Sequence, residues 1–490
     1  MSRLFVVSNR LPITVDIDKS DVRIRESSGG LASALKSVFA TVPGTWIGWP
    51  GTSSDLESIE LPPASNAKLV PVYLDETESR DFYSGFCNEI VWPLFHDLQS
   101  RCNFDPSYWQ AYVNVNKRFA RAVLDRCISD DLVWVHDYHL ALMGSMLRDT
   151  VHAPHTAYFQ HIPFPAPDIY EKLPWGDRIL ESMLDFSVVG FQTDRDLHNF
   201  AACVKQAGAA SVRFWQDELV LEHKRGTSVA KSFPISIDYD SFASGAASEE
   251  VEQRVASMRT AFGEKHVVLG VDRLDYTKGI PERLRSFARA LELYPELRRN
   301  VCFVQVVVPS RESIPKYHDL KLEIERLVSE INGRFSDSGW VPIHFIYRHL
   351  DRAELLAYYR LSDCALITPL KDGMNLVCKE YCAAKVDSDG VLILSKFAGA
   401  AAEFSGDALV VNPNDYDSVA RQIHVALNMG PRERAARMAN IRLQLEKSSV
   451  HHWVKSFLGK CSEVFDQNVG RILAAESPLQ TYMTSYAGLL

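Results

Sequence analysis

The chain has 490 residues, 46% of them hydrophobic and 23% charged, with a formal net charge of -9. That length exceeds what one core holds, since single cores stop growing beyond ~250–300 residues. The acidic balance excludes a general binder of nucleic acid or of anionic membrane, so an anionic ligand must be held by a local group of cations.

The N-terminal run MSRLFVVSNRLP is too short and lacks the small-residue site of a signal peptide, and no window approaches the ~18 apolar residues of a membrane span. Nine cysteines without CxxC pairs read as reduced thiols of a cytoplasmic protein. Cys378 and Cys382, four apart on an expected helix, are too few ligands for zinc.

In chain order, LFVVS reads as a buried first strand and brings Arg10 to its end in SNRLP. SSGGLASALKSV (27–38) carries two glycines to a helix start, a moderate phosphate signal when paired with Arg10. Tyr83 and Trp92 lie in YSGFCNEIVWPLFH and fit either a sugar contact or a core. SYWQAYVNVNKRFARAVLDRC (107–127) has the period of an amphipathic helix. DLVWVHD is a strand that delivers His136 and Asp137, with His139 just beyond. Metal ligation and helix capping are the alternatives there, and no third metal ligand is evident. TAYFQHI ends a strand near His161, where a lone histidine is usually structural, and SVVGFQT is a further strand.

A strand-like FPISI, turn residues and the acidic helix SEEVEQRVASMRTAFG place a boundary within residues 231–242. Next comes VVLGVDRLDYTKGI, a strand leading into Asp272, Arg273, Asp275, Lys278 and Gly279. Arg and Lys at a strand's carboxyl end suit a diphosphate, and a surface salt-bridge cluster with Asp272 and Asp275 is the alternative. CFVQVVVP is a strand followed by Arg311, then the helical ESIPKYHDLKLEIERLVSEINGRF. PIHFIY, CALITPL and GVLILS are strands. Between the last two, DGMN is a turn, with Gly373 free to adopt backbone conformations that other residues resist. The N–H groups of Gly373, Met374, Asn375 and Leu376 then open a helix, a ready anion site. Asp372 and Glu380 are placed to accept from sugar hydroxyls. A helix cap accounts for Asp372 equally well but leaves Glu380 unexplained. The DxD triplets at 16–18, 238–240 and 387–389 match by chance frequency, and no metal site is expected.

Strand–helix alternation throughout predicts an α/β protein with two doubly wound parallel sheets. The domains are expected at 1–238 and 239–455, with a helical segment at 456–490 crossing back over the first. Ligands of such sheets bind at strand carboxyl ends, which predicts an interdomain cleft.

Taken together, these segments resemble the trehalose-6-phosphate synthase family, retaining glycosyltransferases of the two-domain, Rossmann-like GT-B fold. The likeness runs through VVSNRLP, SSGGL, GWPG, NEIVWPLFH, WVHDYHL, HIPFP, GVDRLDYTKG, VVVPSR, INGRF, PLKDGMNLVCKEY and LILSKFAGAA, in family order to about residue 455. The resemblance implies transfer of glucose from a nucleotide sugar to glucose 6-phosphate, with UDP-glucose the first choice over GDP and ADP donors. Arg273 and Lys278 would hold the donor diphosphate. Asp372 with the backbone of Gly373, Met374, Asn375, Leu376 and Val377 would hold the glucose, and Glu380 the ribose. Gly30 would let its loop close over the donor, and His161 would contact the donor sugar. Arg10, Tyr83, Trp92 and Arg311 would bind the acceptor phosphate end, and Asp137 would fix the acceptor sugar. The departing phosphate oxygen would take the acceptor proton on the same face.

No cofactor, metal, nucleic-acid or membrane partner is implied, and the sequence is compatible with a homo-oligomer. Gln160 stands where Leu is frequent in the family, and Cys378 where Ala or Ser is usual. Two alternatives share the fold. One is a sister transferase with another acceptor, a glucosylglycerol-phosphate synthase or a pseudo-glycosyltransferase. The other is a non-catalytic sugar-phosphate sensor, which would lose the diphosphate groups retained here.

Overall fold

The computed structural model describes residues 3–18, 21–26, 30–40, 42–52, 61–150, 153–311 and 314–465. The chain divides into two compact units. One is formed by residues up to Ile235 together with those from Val450 onward, the other by Ser236–Ser449.

The first unit carries β1 (Leu4–Arg10), β2 (Ile13–Asp18), β3 (Asp21–Glu26), β4 (Gly44–Trp49), β5 (Ala67–Pro71), β6 (Leu132–His136), β7 (His155–Phe159) and β8 (Val188–Phe191). It continues with β9 (Ala210–Trp215), β10 (Glu218–His223) and β11 (Gly226–Ser232). Nine of these form one sheet in the order β5-β4-β1-β6-β7-β8-β11-β10-β9, and β2 and β3 pair separately as a hairpin. The sheet is parallel from β5 to β11, and its strands β1, β6 and β8 are buried nearly throughout, as continuous Val, Leu and Phe runs require. Register levels the strand ends: Ser8 pairs with His136, and His136 with Phe159. The carboxyl ends of β1, β6 and β7 therefore stand side by side and deliver Arg10, Asp137 and His161 to one edge.

Two expectations need correction. FPISI (233–237) is not a strand; the strand is β11, ending at Ser232, and Phe233–Ile237 is the chain leaving the sheet, where Pro234 has no N–H for a ladder. The antiparallel pairs β9–β10 and β10–β11 were not anticipated either. Their turns lack the usual Asn-Gly or Asp-Gly signal, and Gln216 itself takes φ +56°.

A helix at Val450–Phe465 completes the first unit. Trp453 packs against Trp134, His136 and Phe159, while Phe457 stacks on Trp134 and meets Phe233 edge-on. Gly190 in β8 makes this approach feasible: a Cβ there would fall 2.7 Å from Phe457 and 2.6 Å from Phe159. Residues 466–490, the rest of the expected 456–490 segment, lie outside the described residues.

The second unit carries β12 (His266–Arg273), β13 (Val301–Val308), β14 (Ile343–Tyr347), β15 (Cys364–Ile367), β16 (Val391–Ser395) and β17 (Leu409–Val411). All pair in parallel in the order β14-β13-β12-β15-β16-β17. After β12 the chain makes a tight turn at Tyr276–Lys278 and enters the helix Ile280–Leu293 through Gly279, at φ +62°. A Cβ on Gly279 would sit 2.3 Å from the Thr368 carbonyl, so this turn is pinned against the end of β15. The two long helices anticipated from periodicity span Pro106–Leu124 and Pro315–Phe335. Among the described residues no helix is long and apolar enough to cross a membrane.

Candidate active site

In the second unit the charge cluster after β12 is sorted by burial. Asp272 and Asp275 are interior, so the alternative of a surface salt-bridge cluster built on them fails. Asp272 pairs at 2.5 Å with Arg283, a fully buried arginine of the following helix. Arg283 also donates to Thr368 Oγ1 (3.0 Å), Gln305 Oε1 (3.2 Å) and the Lys278 carbonyl (3.2 Å). Burial raises the Asp272 carboxyl above its ordinary range despite Arg283. Asp275 accepts from the Thr277 N–H (3.0 Å) and hydroxyl (2.9 Å). Burial works against its charge, but Arg311, Lys278 and Arg273 together hold it below the usual carboxylate range. Arg273 itself is exposed.

Lys278 Nζ lies 2.6 Å from Asp372 Oδ2, and both side chains are mostly buried. Asn375 donates to the same carboxylate at 3.1 Å. The Asp372–Asn375 turn is held by the segment after β16: the Asp372 N–H donates to Phe397 O, Gly399 N–H to Asp372 O, and Ala400 N–H to Met374 O. A Cβ on Gly399 would fall 1.9 Å from the Gly373 carbonyl. The unusual backbone expected at Gly373 belongs instead to Asn375, at φ +81°. Asn375 caps the helix Leu376–Ala384 by accepting the Cys378 N–H at 3.0 Å, and the Cys378 thiol donates back to the Asn375 carbonyl. Leu376 and Val377 supply the first turn. Glu380, one turn on, accepts from the Tyr359 hydroxyl at 2.9 Å. Burial raises its carboxyl, and Tyr359 partly offsets that. Arg311, at φ +51°, donates to Tyr317 OH at 2.7 Å and lies 3.5 Å from Asp275.

In the first unit Arg10 stacks on Trp49, its Cζ 4.6 Å from the ring centroid. Gly51, at φ +88°, lies against the same guanidinium, and its left-handed backbone favours glycine there. From Trp49 an aromatic series continues through Tyr83, His139 and Tyr138 to Trp92. Tyr83 sits in a wide π-helical run, Ser79–Val91, a form concentrated at functional sites. Trp92 is only 7% exposed, so little of the indole faces solvent. Gly30 opens the helix Gly30–Phe39 and is exposed; residues 27–29 of its glycine-bearing loop lie outside the described residues.

Asp137 follows β6 at φ +72°. Its N–H donates to Phe159 O, and its Oδ1 accepts the His161 N–H at 3.1 Å. The His161 ring meets His136 (3.0 Å) and Gln192 (3.3 Å), and burial lowers its pKa to about 3. Gln160, the departure next door, is buried and accepts from Tyr158 OH at 2.5 Å.

Sequence reasoning missed Arg283, Tyr359, Trp49, Gln192 and the cap at Asn375. Only Trp49 had a signal, its place in the glycine-flanked GWPG. Among the described residues no three His, Cys, Asp or Glu side chains gather to hold a metal.

The family model described as Glycosyltransferase family 20 matches residues 2–463. A bifunctional trehalose-6-phosphate synthase/phosphatase of Thermoproteus tenax is 40% identical over 93% of this chain. The chain spans 63% of that relative's length. An alpha,alpha-trehalose-phosphate synthase (UDP-forming) of Emericella nidulans is 36% identical, with 98% of this chain and 95% of the relative covered. Among solved structures, an alpha,alpha-trehalose-phosphate synthase (UDP-forming) from Burkholderia xenovorans in complex with glucose-6-phosphate aligns with a TM-score of 0.87 at 33% identity, covering 94% of this chain and 100% of that one. An E. coli structure bound with UDP-2-fluoro glucose aligns at 0.85 with 33% identity, covering 94% and 99%.

Proposed function

The chain belongs to glycosyltransferase family 20, and from that premise we propose that it transfers the glucosyl group of UDP-glucose to glucose 6-phosphate with retention, forming trehalose 6-phosphate and releasing UDP. One observation carries the reading: Lys278, just beyond β12, pairs at 2.6 Å with Asp372, just beyond β15 and ahead of the helix start at Leu376, while Arg273 ends β12 and Glu380 lies one turn into that helix. Two cations there suit a diphosphate that gains charge as it leaves. Asp372 and the amides of 373–377 suit the glucosyl group, and Glu380 the ribose. The Lys278–Asp372 ion pair makes the two halves of the donor interdependent, because a diphosphate competes with Asp372 for the ammonium. The family pattern assigns His161 and Gly30 to the donor sugar. The same pattern assigns Arg10, Tyr83, Trp92 and Arg311 to the acceptor phosphate and Asp137 to the acceptor sugar.

Nucleotide release measured over UDP-, GDP- and ADP-glucose against glucose and glucose 6-phosphate tests the proposal. UDP release dependent on glucose 6-phosphate is expected, and full activity should survive EDTA because Arg273 and Lys278 supply the charge a metal would bring. Equal use of free glucose would overturn the acceptor assignment. Release with other polyol phosphates alone would indicate a sister transferase, and no release at all a sensor.

A further inference from the structure

Behind His161 runs a chain of hydrogen bonds whose direction is fixed at one end. The Ile235 N–H lies 3.0 Å from Gln192 Oε1. A backbone N–H can only donate, so that atom is the amide oxygen, and Gln192 must present its NH2 to the other side. That NH2 lies 3.3 Å from His161 Nδ1, which therefore accepts and carries no proton. In the neutral ring the proton then sits on Nε2, which is 3.0 Å from His136 Nδ1. His136 accepts there in turn, and its own proton is on Nε2, which meets no acceptor among the described residues. His136 is fully buried and Trp453 flanks both rings. Asp137, the nearby carboxylate, takes the His161 backbone N–H and leaves the ring alone.

We propose that Gln192 is a positioning residue for the transfer reaction: oriented by the Ile235 amide, it locks His161 and, through it, His136 in the Nε2–H tautomer and keeps both rings neutral. The proposal rests on the reading that His161 contacts the donor sugar. Its logic is the reverse of a catalytic triad, where a carboxylate behind histidine stabilises the imidazolium. Here an amide occupies the carboxylate's place and offers N–H instead of oxygen. Glycosyl transfer builds positive charge on the sugar ring, as an oxocarbenium-like transition state. A cation beside that ring would oppose it, so a histidine held neutral serves where a protonated one would inhibit. Burial, which drives both histidines away from protonation, acts in the same direction.

The test is long-range 1H–15N correlation on the full chain labelled at histidine, with the His161 signals assigned by their loss in His161→Gln. The expected result is a non-protonated Nδ1 and a protonated Nε2 for His161 and for His136. A protonated Nδ1 on His161 overturns the proposal without any Gln192 variant. In Gln192→Glu the carboxylate still accepts from Ile235 but offers oxygen to His161, so Nδ1 should become protonated. kcat should then fall at least tenfold while the KM for glucose 6-phosphate stays within about threefold. A variant that melts lower but keeps the wild-type tautomer and kcat would show Gln192 to be a mere tie for the chain at Ile235, which overturns the proposal. Should the wild-type chain show the tautomer but no glucosyl transfer, the functional reading fails and the assignment of Gln192 to that reaction falls with it.

Discussion

Arg273 and Lys278 share a motif but not an environment, and their substitutions should differ accordingly. Arg273 is exposed, so Arg273→Ala should leave melting unchanged while turnover falls ~10²–10³-fold, the usual loss for one charge-stabilising donor. Lys278→Ala should lose turnover to a similar degree and also melt lower, because it strips Asp372 of its ion-pair partner. Near-normal kcat in either variant would remove the diphosphate assignment. Glu380 gives a pH prediction. Its carboxyl is raised by burial, and the Tyr359 hydroxyl favours the ionised form that a ribose hydroxyl needs. As pH falls through that raised value the acceptor is lost, so the donor KM should climb on acidification. Tyr359→Phe should move this limb to higher pH and raise the donor KM roughly tenfold, as loss of a hydrogen bond to a charged group does. A donor KM flat with pH would count against the ribose role. Residue types were legible at these positions because charge after an apolar strand is conspicuous. Their partners were not, since Asp372 lies 94 positions from Lys278 and nothing in spacing pairs them.

At the scale of elements, Arg283 shows why a legible fold can hide its own support. In the helix Ile280–Leu293 an arginine reads as part of a solvated face, yet this one is wholly interior and ties β12, β13, β15 and the Lys278 turn together. Arg283→Met should destabilise the second unit by ~3–5 kcal/mol, because it leaves Asp272 buried and unpaired. Adding Asp272→Leu should recover much of that, and urea melts of the single and double variants measure both. If the single variant lost nothing, the pair would not be the clamp described. The parallel strands were legible because burial on two faces demands unbroken apolar runs. The antiparallel β9–β11 extension was not, because β9 is largely exposed and its turn uses Gln216 rather than glycine. The π-helical run around Tyr83 closes i→i+5 bonds and so departs from the 3.6-residue period by which a helix is read.

For the whole molecule the helix Val450–Phe465 matters most. It belongs to the first unit although 214 residues of the second, Ser236 to Ser449, intervene. Phe457 is completely buried against Trp134, Phe159 and Phe233. Phe457→Ala should cost ~3–5 kcal/mol and lower the transition of the first unit, read by the fluorescence of its buried tryptophans. An unchanged transition would mean that the helix is ornamental to that core. If the helix is required, synthesis on the ribosome has an unusual schedule. Domains ordinarily fold in the order they emerge, N-terminal first. Here the second unit is one continuous stretch and can close as soon as Ser449 is out. The first unit must wait, with Trp134 and the surface over Gly190 uncovered, until Phe465 has also emerged. The part of the chain made first is the part finished last.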